Sequence, residues 1–212
     1  MEGGARVRQD ASVGALVRPI GRSGSGCAPP VLTFLRGIGG QDRPVQLPPA
    51  NAESFRAAFR RHPAGVVVVT ADAGEGPAGL TATSLASVSL DPPMVSLAVA
   101  DASSIWRTLV RAECFVVNLL AEEHALVAQR FAARGIDRFA APIRWERLPT
   151  GEPVLLDAAS WLRCRTEQRV RVGDHHLVIG EVIDALVDPE ASPLVYHDRR
   201  YHGLGESSAL DL

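Results

Sequence analysis

Three cysteines in 212 residues, far apart at Cys27, Cys114 and Cys164, leave this chain without a disulfide framework or a metal-ligand spacing. No CxxC pair occurs, and an odd count suits a reducing cytoplasm, so zinc is not expected. A run of about 18 apolar residues is also missing, so no membrane-spanning helix is predicted. The N-terminus lacks the long apolar stretch of a secretion signal, and the expected location is cytoplasmic. Neither sign of charge dominates. A formal net charge of −2 gives no electrostatic case for nucleic acid or for an anionic membrane as partner. Common catalytic templates are absent too: there is no GxSxG, HExxH or Walker loop. No GxGxxG follows a strand-like segment, so a nicotinamide nucleotide would not be held in the Rossmann way. A Cys–His nucleophile has no support beyond the presence of both residue types.

What remains is an ordinary globular composition, 46% apolar and 22% charged, long enough for one domain with a substantial core. Residues 1–50 stand apart, with Gly3-Gly4, Ser23-Gly24-Ser25-Gly26, Pro29-Pro30, Gly39-Gly40 and Pro48-Pro49. This composition predicts a flexible N-terminal extension, and no function is assigned to it. The folded domain is expected over 51–205, followed by a disordered tail at 206–212.

The chain is organised around Gly79 to Ala100, read as two strand-like segments joined by Asp91-Pro92-Pro93. The first, Leu80 to Leu90, carries Thr81, Thr83, Ser84, Ser87 and Ser89 where a core-filling strand would carry bulkier residues. Small hydroxylated side chains allow a flat ligand to lie against the backbone. An edge strand facing water would show the same residues. The next segment, Met94 to Ala100, is almost wholly apolar, and this favours the ligand. Asp101-Ala102-Ser103-Ser104 then precedes a helical pattern. There a serine can cap the helix, or free N–H groups can attract a phosphate.

Along the rest of the chain, Phe55, Ala58, Phe59 and His62 have helical spacing that Pro63 ends, with His62 packing at the helix end. Gly65 to Thr70 is a β-branched strand, and Asp72 to Pro77 a hairpin turn. A short helix to Arg111, a strand at Cys114–Leu120 and a helix over Glu122–Ala133 follow. Gly135 to Pro153 reads as loop. Trp161–Val172 and Leu177–Val187 are strands about a Gly173-Asp174 turn, and Leu194–Tyr196 with Arg199–Tyr201 closes the set. Six or seven short strands without strand–helix alternation point to a closed or partly closed antiparallel barrel. His175, presented at a hairpin end, is either a solvated turn histidine or a ring that meets a ligand. Tyr201 either packs or lines a pocket.

These motifs, in this order, resemble the flavin reductase family from Phe55 to Leu204. His62 to Thr70 is similar to its opening strand. Gly79-Leu80-Thr81-Ala82-Thr83-Ser84 with Ser87 to Pro93 is similar to its GxTA(N/S/T)S…SxSxxPP pattern. Phe115 to Leu120 fits FxVNxL, Arg138-Phe139 with Trp145 fits the middle passage, and Gly173-Asp174-His175 with Gly180 fits GDHxxxxG. Leu194 to Tyr196 with Tyr201 fits the closing strands. Each piece alone is weak evidence; six in order are strong. Thr83 stands where Asn or Ser is commoner, and residues 1–50 have no counterpart.

The resemblance implies a mainly β fold with short helices, the FMN-binding split β-barrel of antiparallel Greek-key type. It implies reduction of FMN or FAD by NADH or NADPH, a homodimer, and delivery of reduced flavin to a monooxygenase component. Thr81, Ala82, Thr83 and Ser84 would line the flavin ring with Ser87 beside them, and Asp101, Ala102, Ser103 and Ser104 the ribityl-phosphate region. His175 is the implied catalytic residue beside the nicotinamide, with Tyr201 near it; His176 has no implied role. Two rivals are a flavin-binding barrel without activity and an oxidase of the pyridoxamine-phosphate type. The second lacks a basic cluster for another phosphate.

Overall fold

A computed structural model describes residues 49–205 together with 208 and 209. The extension expected over 1–50 and the tail expected at 206–212 therefore lie almost wholly outside the described residues. Helix α1 (Ala52–Arg60) begins where Asn51 accepts hydrogen bonds from the Glu53 and Ser54 N–H groups. Strands β1 (Ala64–Gly65), β2 (Val67–Ala71), β3 (Ala78–Ala82), β4 (Ala86–Leu90) and β5 (Pro93–Ala100) follow. Next come α2 (Trp106–Leu109), β6 (Cys114–Leu119), a 3-10 turn at Glu122–His124 and α3 (Ala125–Ala132). The chain ends with β7 (Trp145–Arg147), β8 (Pro153–Leu155), β9 (Ser160–Val172), β10 (His175–Leu186), β11 (Leu194–His197) and β12 (Arg200–Gly203).

Seven strands form one antiparallel sheet in the order β3-β2-β6-β9-β10-β5-β4. Its two edge strands, β3 and β4, are consecutive in sequence and separated only by residues 83–85. A flat sheet of seven strands would set its edges about 29 Å apart. The four steps from Ala82 to Ala86 reach about 14 Å at most. The sheet must therefore curl until its edges meet, and it becomes a barrel that is not laddered shut. Ser84 marks the join: its Oγ donates to the Ala98 carbonyl and accepts from the Ala98 N–H, both at 3.0 Å.

The alternation of β2 explains why residues 66–69 are all valine. Val67 and Val69 face a core with Leu97, Val99, Phe115 and Val178. Val66 and Val68 face a second core on the other side with Phe131, Leu155 and Leu194. A strand buried on both faces reads as an unbroken apolar run. Asn118 is wholly buried and satisfied: its Nδ2 donates to the Val68 carbonyl and Thr70 Oγ1, and its Oδ1 accepts from the Leu155 N–H. The asparagine of the FxVNxL pattern is thus a tie between β6, β2 and β8.

Four expectations are corrected. Leu80 to Leu90 is not one strand but two on opposite edges, because the chain must cross the join. The strands are more numerous than six or seven, and β9 and β10 reach 13 and 12 residues. The passage 135–153 contributes the β7–β8 ladder. Ser104 does not cap α2, whose N-cap is Ile105 without a side-chain bond.

Candidate functional site

Where β3 parts from β5 and the 83–85 crossing, a cleft of about 600 Å³ opens. Ala82, Ala98 and Ala100 give it a floor with little side-chain relief. Gly79 lets α3 close over β3, since a Cβ there would sit 2.6 Å from the Phe131 ring. Thr81, Ala82, Thr83, Ser84, Ala102, Ser103, Ser104 and His175 all line this one cleft. The fold brings together residues 94 positions apart because β10 pairs with β5 in a register that sets His175 opposite Ala100. Gly173, with φ 62°, makes the turn that presents His175 at the strand end. The His175 ring is exposed, with Nδ1 2.8 Å from Asp174 Oδ1, and this bond holds the Asp174 carboxyl below the usual carboxylate range.

Three expected site residues do not line the cleft. Ser87 is exposed on β4 opposite Val95. Asp101 turns its carboxylate to His176 and Arg171, at 2.6 and 3.2 Å. Tyr201 packs against Tyr196, with ring centroids 5.2 Å apart, in the second core; burial raises its hydroxyl pKa. Several of the hydroxyls are also occupied by the protein itself. Thr81 Oγ1 donates to the Ala128 carbonyl at 2.6 Å, Ser84 bonds Ala98, and Ser104 Oγ accepts from Arg138 Nη1 at 3.0 Å. Among the described residues, the hydroxyls of Thr83 and Ser103 make no such bond to the protein.

The main omission of the sequence reading is the end of α3 and the loop behind it. Arg134, Gly135 and Arg138 line the same cleft as Ser103 and Ser104. Arg138 donates to the Gly79, Ala133 and Ser104 oxygens and so joins three walls. Burial makes its guanidinium less basic than usual, yet an arginine stays charged. Arg134 is exposed at the rim. The only available signal was Arg138 within the middle passage, and nothing local said which wall it would reach. The lining holds two guanidiniums and no carboxylate. A smooth floor and a cationic end suit a flat ring system with an anionic tail.

Residues 59–205 match the model of the flavin reductase like domain. The chain belongs to the flavin reductase family. It is 51% identical over 155 residues to a protein of Rhodococcus qingshengii named NADH:FMN oxidoreductase, covering 71% of this chain and 81% of that one. The Streptomyces globisporus NADH:FAD oxidoreductase SgcE6, solved in complex with NAD and FAD fragments, superposes with a TM-score of 0.71 at 29% identity; 78% of this chain and 99% of that one are covered. BorF, the flavin reductase component of a bacterial two-component tryptophan halogenase, gives 0.67 at 32% identity over 74% and 99%. The curled sheet is thus the split barrel of the flavin reductases.

Neither of the two described thiols of this family member lines the cleft. Burial pushes the Cys164 thiol up to about 12, and burial likewise raises Cys114. Among the described residues no helix is long and apolar enough to cross a membrane.

Proposed function

We propose that residues 51–205 form an NADH-dependent flavin reductase that takes FMN in the cleft between β3 and the 101–104 turn. The observation that carries this reading is the convergence of seven of the nine expected flavin residues, all but Ser87 and Asp101, with His175 on one carboxylate-free cleft. Membership of the flavin reductase family supports it, as does the name of the Rhodococcus relative, which gives NADH and FMN. When bound, the flavin supplies N5 as hydride acceptor and the nicotinamide supplies C4 as donor.

The chain's own residues bind, orient and exclude water. The alanine floor leaves room for the ring, and Thr83 and Ser103 have hydroxyls free to bond its polar edge and ribityl chain. Ser103 Oγ, Arg134 and the Ala102 and Ser104 N–H groups, which unlike those of Asp101 and Ser103 are not given to backbone carbonyls among the described residues, receive the phosphate. Arg138 holds the walls in place and adds positive charge behind them. His175 orients the nicotinamide over the flavin from the open side, and positioning rather than proton transfer is its contribution. No side chain acts as a nucleophile.

Two finer assignments belong to the same reading. A second copy of the chain covers α1, which buries none of its residues and exposes Phe55 and Phe59 at 61% and 58%. The reduced flavin goes to a separate oxygenase-type component, by analogy with BorF, the reductase component of a two-component halogenase, and the expected place is the cytoplasm. Tyr201 stays outside the nicotinamide site within one chain.

The test supplies purified full-length protein with NADH or NADPH and with FMN or FAD, and follows oxidation of the reduced nicotinamide. Turnover fastest with NADH and FMN is expected. Flavin capture without any nicotinamide oxidation would leave the rival of a non-catalytic flavin-binding barrel; neither capture nor turnover would sink both readings.

A further inference from the structure

His176 sits next to His175 on β10, so the two rings leave opposite faces of the strand. Its ring is stacked on Trp106, with centroids 3.8 Å apart and planes 12° from parallel. Its Nε2 lies 2.6 Å from Asp101 Oδ1, while Arg171 Nη2 holds Asp101 Oδ2 at 3.2 Å. The Asp101 N–H donates to the Asp174 carbonyl at 3.0 Å. Asp101 and Trp106 bracket the segment whose Ala102, Ser103 and Ser104 line the cleft. Within it the Ser103 N–H donates to the Ala100 carbonyl, Arg138 bonds Ser104 Oγ, and Ile105 just behind is buried in the first core. Helix α2 is four residues long and has no side-chain cap, so it does not stand alone. The β9–β10 hairpin adds a tie of its own, since the His176 side chain meets both ends of the segment, Asp101 and Trp106.

We infer that His176 is a positioning residue, fixing the 101–104 turn in the shape that receives the flavin's phosphate. The inference rests on the reading that this turn is the phosphate seat. It assigns His176 no contact with flavin or nicotinamide. The stack fixes the Trp106 end of the segment, and the close contact with Asp101 fixes the other. The same hairpin presents His175, so one tie registers the phosphate end of the flavin with the side on which the nicotinamide arrives.

Fluorescence quenching with FMN and with riboflavin, which lacks the phosphate, tests this on the full chain. Wild-type protein should prefer FMN. His176→Phe keeps a ring on Trp106 but removes the bond to Asp101, and it should lose about ten-fold in FMN affinity with riboflavin affinity unchanged. Asp101→Ala breaks the same bond from an exposed residue and should act alike, which keeps the test usable if the first variant fails to fold. The double variant should be no worse than Asp101→Ala, which already removes the His176 contact along with the bond from Arg171. A wild type that binds FMN and riboflavin equally would refute the phosphate seat itself. A wild type that prefers FMN, with variants that keep the preference, lose both ligands in parallel or show additive losses, would refute only the role of His176.

Discussion

Two clefts of nearly equal size lie on this molecule, about 600 Å³ beside β3 and about 610 Å³ between the 72–77 turn and the 150–152 turn. Both contain two arginines. In the second, each arginine is already answered: Arg147 pairs with Asp72 at 2.6 Å, and Arg163 with Glu152 at 2.9 Å and Asp184 at 2.9 Å. In the first, the lining has no acid, Arg138 is bonded to neutral oxygens, and Arg134 sits at the rim. Volume does not separate the two; charge balance does. An anionic ligand gains from a guanidinium only where no carboxylate has reached it first. In the second cleft the arginine charges are neutralised within the protein, while the first keeps its positive charge for a ligand.

That contrast can be broken most forcefully at Glu152. Glu152→Ala leaves the mostly buried Arg163 with Asp184 as its remaining carboxylate and should cost about 2 kcal/mol of stability, read by denaturant unfolding, while FMN affinity stays near wild type. A large loss of FMN affinity in a folded variant would make the second cleft part of the site. The same pair has a pH signature. Burial opposes ionisation of Glu152, but hydrogen bonds from Arg163 and Thr150 outweigh it and hold the carboxyl below its ordinary value of 4.5. A lowered native pKa means that the stabilisation is complete above about pH 4.5 and disappears as pH falls through the native value. Asp72 behaves likewise: the hydrogen bonds and charge of Arg147 outweigh the cost of burial. Melting temperature should therefore fall on acidification in the wild type and fall less in Glu152→Gln.

In the first cleft, Arg134→Ala should weaken FMN about ten-fold and riboflavin hardly at all, measured by quenching titration. Equal loss of both ligands would place Arg134 at the ring rather than at the phosphate. His175→Ala should raise KM for NADH several-fold, on the order of one hydrogen bond or ring contact, with flavin affinity kept. An unchanged KM removes His175 from the site. The smallest effect is expected at Thr81, whose hydroxyl serves the Ala128 carbonyl. Thr81→Val should cost about 1 kcal/mol in unfolding and leave flavin binding alone.

Much of the site was legible because its parts are local. The Thr81–Ser84 and Ala102–Ser104 stretches each keep their chemistry within four residues, and the Gly173-Asp174 turn announces itself by a glycine at positive φ. What a hydroxyl bonds to was not legible. Ser84 and Thr81 stand in the right stretch, yet their oxygens reach Ala98 and Ala128, partners 14 and 47 residues away. Ser87 carries the same kind of side chain and falls outside the cleft, because the crossing at 83–85 moves it to the other edge of the sheet. Tyr201 likewise belongs to the closing strands of the motif but is turned into the second core.

From the order of residues alone came the periodicities, the turns and the motifs: a mainly β chain, a β-branched strand at 65–70, and a flavin reductase pattern. Each depends on neighbours a few positions apart, whose spacing the chain itself dictates. Tertiary structure decided which polar atoms are spent and which are left. The closure of the barrel at Ser84, the three-walled grip of Arg138 and the stack of His176 on Trp106 all join residues far apart in sequence. Such contacts exist only once the sheet has curled, because curling is what sets their distances.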